Sequence, residues 1–235
     1  MGRSLERTAV FTHDLDCITQ HRVPVQGIGL LDSLEAAGFE WVPKGDATPP
    51  AAVFVWPSKD HREVEVEFLV PARGDGRNRV VTIQPHLTAQ ALRDLDILLD
   101  DPVVVELDER SEEAGLVFKG PVRVPRPAHF SIQKALIFSR RAPEDQVKDL
   151  AYVFDLIDSA NGLAERVLSD VVLADRRRYQ AEVQRFREVL RRELGSPAFV
   201  KKVAEQIPLE RRPLSTYIGR EVAQWLERLE AALRA

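Results

Sequence analysis

A mixed α/β (α+β) front half running into a helical back half is the fold class this sequence predicts, and three observations predict it. Short β-type runs alternate with amphipathic stretches as far as about residue 124. Helical periodicity takes over from about residue 126. Between them, Pro121, Pro125 and Pro127 place three prolines in seven residues and interrupt regular structure. The expected organisation is an α/β core over residues 1–120 and a helical region over residues 121–235 that ends in a basic, arginine-rich tail.

The elements follow in order. A strand is expected at about residues 9–18, within "RTAVFTHDLDCI". In "VQGIGLLDSLEAAGF", Ile28, Leu31, Leu34 and Glu35 have helical spacing and Gly38 suits a C-terminal cap. "AAVFVW" reads as a short buried strand. "REVEVEFLV" and "RVVTIQ", joined by the turn-rich "PARGDGRN", suggest a hairpin with a longer loop. "TAQALRDLDILL" presents Ala91, Leu92, Leu95 and Leu98 as the stripe of an amphipathic helix, with Thr88 placed to cap it. "PVVVEL" and "GLVFKGPVRVP" add short strands. In the back half the stripes are Ile132, Ala135, Leu136 and Ser139, then Val147, Leu150, Ala151 and Phe154, and finally Val222, Trp225, Leu226, Leu229 and Leu233.

Bulk properties narrow the class further. With 235 residues, 44% hydrophobic and 30% charged, the chain can bury a real core and has the profile of a globular protein. No apolar run approaches the roughly 20 residues that span a bilayer, so no membrane partner is expected. The start "MGRSLERTAVFTHD" lacks the apolar stretch of a signal peptide, and a single cysteine, Cys17, allows no intramolecular disulfide; a cytoplasmic location is the expectation. From Val171 onward 14 Lys/Arg stand against 9 Asp/Glu, while the residues before it carry 19 against 28. An acidic body with a basic tail can hold a metal with one part and a polyanion with the other; ordinary ion pairs on a helical surface account for the same surplus.

The chemistry begins at "THDLDC". Side chains alternate across a strand, so Asp14 and Asp16 share a face about 7 Å apart. Two such carboxylates repel unless a cation sits between them or water solvates them. In "REVEVEFLVP", Glu63, Glu65 and Glu67 alternate with Val64, Val66 and Phe68 and line one face of a second strand. If the two strands lie side by side, one of these glutamates joins Asp14 and Asp16. Three carboxylates from two strands suit one or two Mg²⁺ ions that keep open positions for phosphate oxygens. A half-exposed strand with a wet polar side explains the glutamate row equally well.

A D-x-D strand, a later acidic strand and then a basic helical segment resemble the nucleotidyltransferase fold of the polymerase-β type, and more closely a group of bacterial nucleotidyltransferase-fold proteins. The matching stretches are "THDLDC", "EVEFLVP" with "AQALRDLDILL", and "GPVRVPRPAHFSIQKALIFSRRAPEDQVKDLAYVFDLI". They cover roughly residues 5–165 and leave the basic tail outside. The resemblance implies a nucleotidyltransferase-like mixed sheet with flanking helices, followed by the helical region. It makes Asp14 and Asp16 the metal-binding pair and Glu67 the third carboxylate, at a place where the family more often has Asp. Lys134 and Asp149 match positions that line the active cleft in toxin-type relatives, which assigns them catalytic roles beside the three carboxylates. Arg141 and Lys148 are implied as further phosphate ligands.

Proteins of this fold carry a Gly-Gly or Gly-Ser element upstream of D-x-D, where backbone N–H groups hold the triphosphate. Two alignments are open. In one, Ser4, ten residues before Asp14, takes this nucleotide-binding place, with Arg3 interrupting the Gly-Ser pair. In the other, which we adopt, "GRSLERTAVFTHDLD" matches the end of the intervening helix and the loop after it, and the glycine element is lacking.

The remaining candidates point elsewhere. His13 alternates away from the aspartates, and His21, His61, His86 and His129 have no zinc-ligand spacing. Cys17 is expected to turn inward with Leu15. "GIG" at residues 27–29, placed in a helix-like segment, and "GDGR" at residues 74–77, read as a hairpin turn, lack the context of a nucleotide loop. Trp41 and Trp56 are expected to pack, with base stacking as the alternative. "DRRRYQAEVQRFREVLRR" is expected as one helix whose arginines, interleaved with Tyr179 and Phe186, can grip a nucleic-acid backbone. The implied activity is transfer of a nucleotidyl group from an NTP to a hydroxyl of RNA, protein or a small molecule, with Mg²⁺ or Mn²⁺ as cofactor. The alternative is a non-catalytic binding or regulatory module on the same fold, with nucleic acid as a ligand.

Overall fold

A computed structural model of the chain describes residues 14–25, 27–44, 51–56, 64–74, 79–107, 120–159, 162–209 and 212–235. The described residues fall into two compact units, 14–99 and 100–235.

The first unit is built on a six-stranded mixed sheet: β1 (Asp14–Ile18), β2 (Glu40–Lys44), β3 (Ala51–Trp56), β4 (Val64–Pro71), β5 (Arg79–Gln84) and β6 (Leu87–Leu92), in the order β2-β3-β4-β6-β5 with β1 also paired to β4. Two short helices accompany it, α1 (Leu30–Ala36) and α2 (Asp96–Leu99). Alternation along β4 decides the core. Val66, Phe68 and Val70 are buried with Ala52 and Phe54 of β3 and Ala89 and Ala91 of β6, and Leu30, Leu31 and Leu34 of α1 pack against that cluster. Gln84, at the end of β5, ties the preceding segment down: its amide donates to the Val23 and Pro24 carbonyls, both at 3.3 Å, and its Oε1 accepts from Leu30 N–H at 2.9 Å.

Several sequence expectations need correction in this unit. The expected hairpin of "REVEVEFLV" with "RVVTIQ" is absent, because β6 lies between β4 and β5, parallel to the former and antiparallel to the latter. The helix expected from "TAQALRDLDILL" is mostly the strand β6. Leu87, Ala89 and Ala91 are buried in alternation with half-buried neighbours, so the period that governs packing is two and not 3.6. Thr88 faces Thr82 across the ladder instead of capping a helix. A two-residue turn at Pro85–His86, with His86 at φ 62°, supplies the reversal. Strand β2 was not expected; it is a sheet edge, the place in a sheet where a proline such as Pro43 is tolerated. Helix α1 starts only at Leu30, and Ile28 before it is 70% exposed. "GIG" thus leads into α1, and Gly38 closes it at φ 89°, as expected.

The second unit opens with a two-stranded ribbon, β7 (Val103–Leu107) on β8 (Gly120–Val124), and continues as helices. These are α3 (Pro127–Ile137), α4 (Pro143–Ile157), α5 (Leu163–Arg177), α6 (Gln180–Glu193), α7 (Pro197–Gln206) and α8 (Ser215–Arg234), with a 3₁₀ turn at Phe138–Arg140. Proline begins α3, α4 and α7, where its missing N–H would have no helical partner. The expected stripes form the core: Ile132 and Ala135, then Leu150, Ala151 and Phe154, then Val222, Trp225 and Leu229. Leu136, Ser139 and Leu233 lie at its margin. At the start of this unit Asp101, held at φ 49°, is clasped by Arg126. The Arg126 Nε donates to the Asp101 carbonyl at 2.9 Å, and its NH2 pairs with Asp101 Oδ2 at 2.9 Å.

Candidate functional site

The parallel pairing of β1 with β4 sets the first cluster. Asp14 stands opposite Glu65, and Asp16 opposite Glu67. Paired positions on neighbouring strands lie about 4.8 Å apart, so partners in register stand abreast on one face. Glu65 and Glu67 are half-buried and Asp16 is exposed, while Val66 and Phe68 between and beside the glutamates are buried on the other face. The strand repeat "EVEVEF" therefore assigns carboxylates to one side and core to the other. Asp14 holds its register position, but its side chain is outside the described residues, as is Ser4 entirely. Glu65 shares the carboxylate face as fully as Glu67.

Hard oxygen donors of this kind fit Mg²⁺ or Mn²⁺ by their chemistry. Among the described side chains, which do not include that of Asp14, no group of three or more His, Cys, Asp or Glu is placed to hold a metal ion. Cys17, next to Asp16, packs against the core, and burial, with help from the Asp16 charge, raises its thiol pKa. Leu15, expected to turn inward with it, is 56% exposed. A protonated, half-buried thiol makes a poor nucleophile.

A second cluster forms in the helical unit where α3 turns into α4. Lys134 Nζ lies 2.9 Å from Asp149 Oδ1 and sits over the Phe130 ring, 5.1 Å from its centroid. Arg141 Nε approaches Asp149 Oδ2 at 3.3 Å, and its NH2 lies 3.5 Å from Asp145 Oδ2. The Asp149 side chain is only 2% exposed. Its helical stripe places it inward, and the lysine one element back neutralises it. Gln146 fixes the corner by donating to the Phe138 carbonyl at 3.0 Å and the Arg141 carbonyl at 3.1 Å. Lys148, adjacent to Asp149, is half-buried on α4. Lys134, Arg141 and Asp149, three residues inferred from sequence, are thus brought into one charge cluster. Two members were missed. Phe130 lies four residues before Lys134 on α3, the spacing at which helical neighbours meet, and Asp145 lies in the first turn of α4, close to Arg141 in the extended corner just before it.

The basic tail differs from expectation. "DRRRYQAEVQRFREVLRR" is broken between α5 and α6 at Arg178 and Tyr179. Tyr179 leaves the helical path because it is buried, edge-on to His129 at 5.7 Å. Phe186 is buried against Trp225. Both aromatics belong to the core. Arg187 and Arg191 pair with Glu230, and Arg192 with Glu193, while Arg176, Arg177 and Arg178 are exposed. Trp41 and Trp56 are half-exposed, Trp56 lying 6.5 Å from the Phe39 ring.

A family model described as nucleotidyltransferase matches residues 1–172, a span that includes β1, β4 and the Lys134–Asp149 corner. The chain belongs to the nucleotidyltransferase family. No curated protein and no solved structure matches it. The family match stops within α5, short of the exposed arginines at its end. Membership in a nucleotidyltransferase family points to a nucleotide substrate. Among the described residues, no helix of this nucleotidyltransferase-family chain is long and apolar enough to cross a membrane.

Proposed function

We propose that this chain is a metal-dependent nucleotidyltransferase, moving a nucleotidyl group from an NTP to a hydroxyl. The observation that carries the reading is the register of β1 on β4, which aligns Asp14 with Glu65 and Asp16 with Glu67 inside the family match. Asp14, Asp16 and Glu67 are the residues that would hold Mg²⁺, or Mn²⁺ in its place. When bound, the ion supplies Lewis acidity to phosphate oxygens and makes the acceptor hydroxyl easier to deprotonate. The strands' part is to hold the anionic oxygens abreast, on a backbone whose register is locked by the hydrophobic face beneath. Glu67 reaches one methylene further than an aspartate at the same place.

Within the helical unit, Arg141 and Lys148 supply positive charge that can contact phosphate, Asp149 orients Arg141, and Lys134, held on Asp149, offsets triphosphate charge through its field without leaving that partner. The acceptor is a hydroxyl of RNA, protein or a small molecule in the cytoplasm. The test is to incubate the purified chain with Mg²⁺, each α-labelled NTP and total cellular RNA, beside an Asp14→Asn/Asp16→Asn control. Label that passes to RNA or protein and disappears in the control supports the transferase. Absence of transfer from every NTP, with NTP still bound, favours the alternative of a non-catalytic binding module.

A further inference from the structure

We infer that Asp145 sets the affinity of this chain for polyphosphate by competing for Arg141, while Lys134 stays on Asp149. The inference rests on the preceding reading that the chain binds an NTP, and it assigns unequal roles to the two cations at the corner of α3 and α4.

Lys134 is committed. Its ammonium lies 2.9 Å from a carboxylate that is 2% exposed, it is itself 17% exposed, and the Phe130 ring lies beneath it. Drawing Lys134 onto a phosphate would strand Asp149 in a buried site, where an unpaired charge is strongly unfavourable. Arg141 does not make good that loss. Its Nε approaches Asp149 Oδ2 at 3.3 Å, yet Oδ2 receives no hydrogen bond.

Arg141 is the releasable cation. Its side chain is 38% exposed, and its other carboxylate neighbour, Asp145, is 39% exposed at 3.5 Å. Ion pairs in such wet surroundings contribute little, and a phosphate group offers a guanidinium two parallel, charge-assisted hydrogen bonds. Because Lys134 already neutralises Asp149, departure of the Arg141 side chain leaves no uncompensated buried charge. Its backbone need not move. The Arg141 N–H donates to the Phe138 carbonyl at 3.2 Å, and Gln146 holds the Arg141 carbonyl. What opposes the transfer of Arg141 to a ligand is Asp145, through direct competition for the guanidinium.

The experiment is isothermal titration of the full chain with each Mg·NTP and with Mg·tripolyphosphate, which lacks a base. It uses the unaltered protein, Asp145→Asn, Arg141→Gln and the double variant. Glu144→Gln removes the same charge from the adjoining residue, which the structure does not pair with Arg141. Asp145→Asn is expected to tighten Kd about threefold and Arg141→Gln to weaken it about tenfold, as for loss of an exposed pair and of a charge-assisted contact respectively. In the Arg141→Gln background Asp145→Asn should change nothing, and Glu144→Gln should act less than Asp145→Asn. An unchanged Kd in Asp145→Asn overturns the inference, as does equal tightening in both backgrounds or in Glu144→Gln. Binding without this coupling removes the inference alone; absence of binding by every chain removes the nucleotide reading with it.

Discussion

Asp16 stands beside Glu67 in the parallel ladder of β1 and β4, with Glu65 two residues back on the same side of β4. If this strip is the catalytic face, Asp16→Asn and Glu67→Gln should each lower nucleotidyl transfer by about 100-fold or more, the scale of losing several kcal/mol of transition-state stabilisation. Glu65→Gln should cost less, because the resemblance puts Glu67 and not Glu65 in the proposed place of the third carboxylate. Rates measured on folded variants decide the matter, and an Asp16→Asn chain that transfers at full speed would sink the assignment.

The buried Asp149 makes a different demand. Lys134→Met removes the cation 2.9 Å from its carboxylate and should destabilise the helical unit by about 3–5 kcal/mol, as for other buried pairs left with one partner. Lys134→Met/Asp149→Leu should recover most of that loss. Urea unfolding followed by far-ultraviolet circular dichroism gives both numbers, and equal midpoints for the two variants would contradict the pairing.

At the start of α8, the Tyr217 hydroxyl donates to Asp158 Oδ1 at 2.6 Å, and this hydrogen bond, with burial and the Asp158 charge, pushes the phenol up to about 12. A folded pKa above the usual 10 gives a contribution to stability that is complete below pH 10 and is lost as pH rises through about 12. The ultraviolet difference spectrum between the unaltered protein and Tyr217→Phe should show tyrosinate forming near pH 12. A transition near pH 10 would mean that the bond to Asp158 is not made in solution.

His129 works in the opposite direction. Burial lowers its pKa, with Arg126 acting the same way, while the hydrogen bond to the Asp100 carbonyl at 3.0 Å and the charges of Asp100 and Asp170 pull it up. The fold holds the neutral ring, so its contribution is present above about 6.5, the ordinary value, and is lost as pH falls through the lowered folded value. His129→Asn should therefore show a shallower loss of stability between pH 7 and pH 5 than the unaltered chain. An unchanged acid limb would show that other groups control it.

How much of this was legible in the sequence follows from the range of each signal. The helical stripes through Leu150, Phe154 and Trp225 were readable because periodicity is local and each helix buries one face. The face shared by Glu65 and Glu67 was readable for the same reason at period two. "TAQALRDLDILL" misled because Ala91, Leu92, Leu95 and Leu98 satisfy helical spacing while Leu87, Ala89 and Ala91 satisfy strand spacing, and only the neighbours β4 and β5 decide between them. The hairpin expectation failed for a related reason: nothing between Pro71 and Arg79 reports that β6 will intervene. The clasp of Arg126 on Asp101 and Asp170 joins residues 25 and 44 positions apart and leaves no local trace. Phe130, by contrast, lay within reach of the helical spacing rule, whereas Asp145 meets Arg141 across the extended corner before α4.

From Val64 to Phe68 of β4 the residues that pack and the residues proposed to carry chemistry alternate one by one, so this stretch cannot change length by a single position without exchanging their duties. An insertion of one residue between Val64 and Phe68 would send glutamates into the hydrophobic cluster and set Val66 and Phe68 in the place of carboxylates. Insertion of two would shift the ladder yet keep each residue type on its own side. Drift in this part of the chain is thus confined to even steps, and a lineage that lost the carboxylates would have to do so by substitution, leaving the buried face as a record of the strand they once stood on.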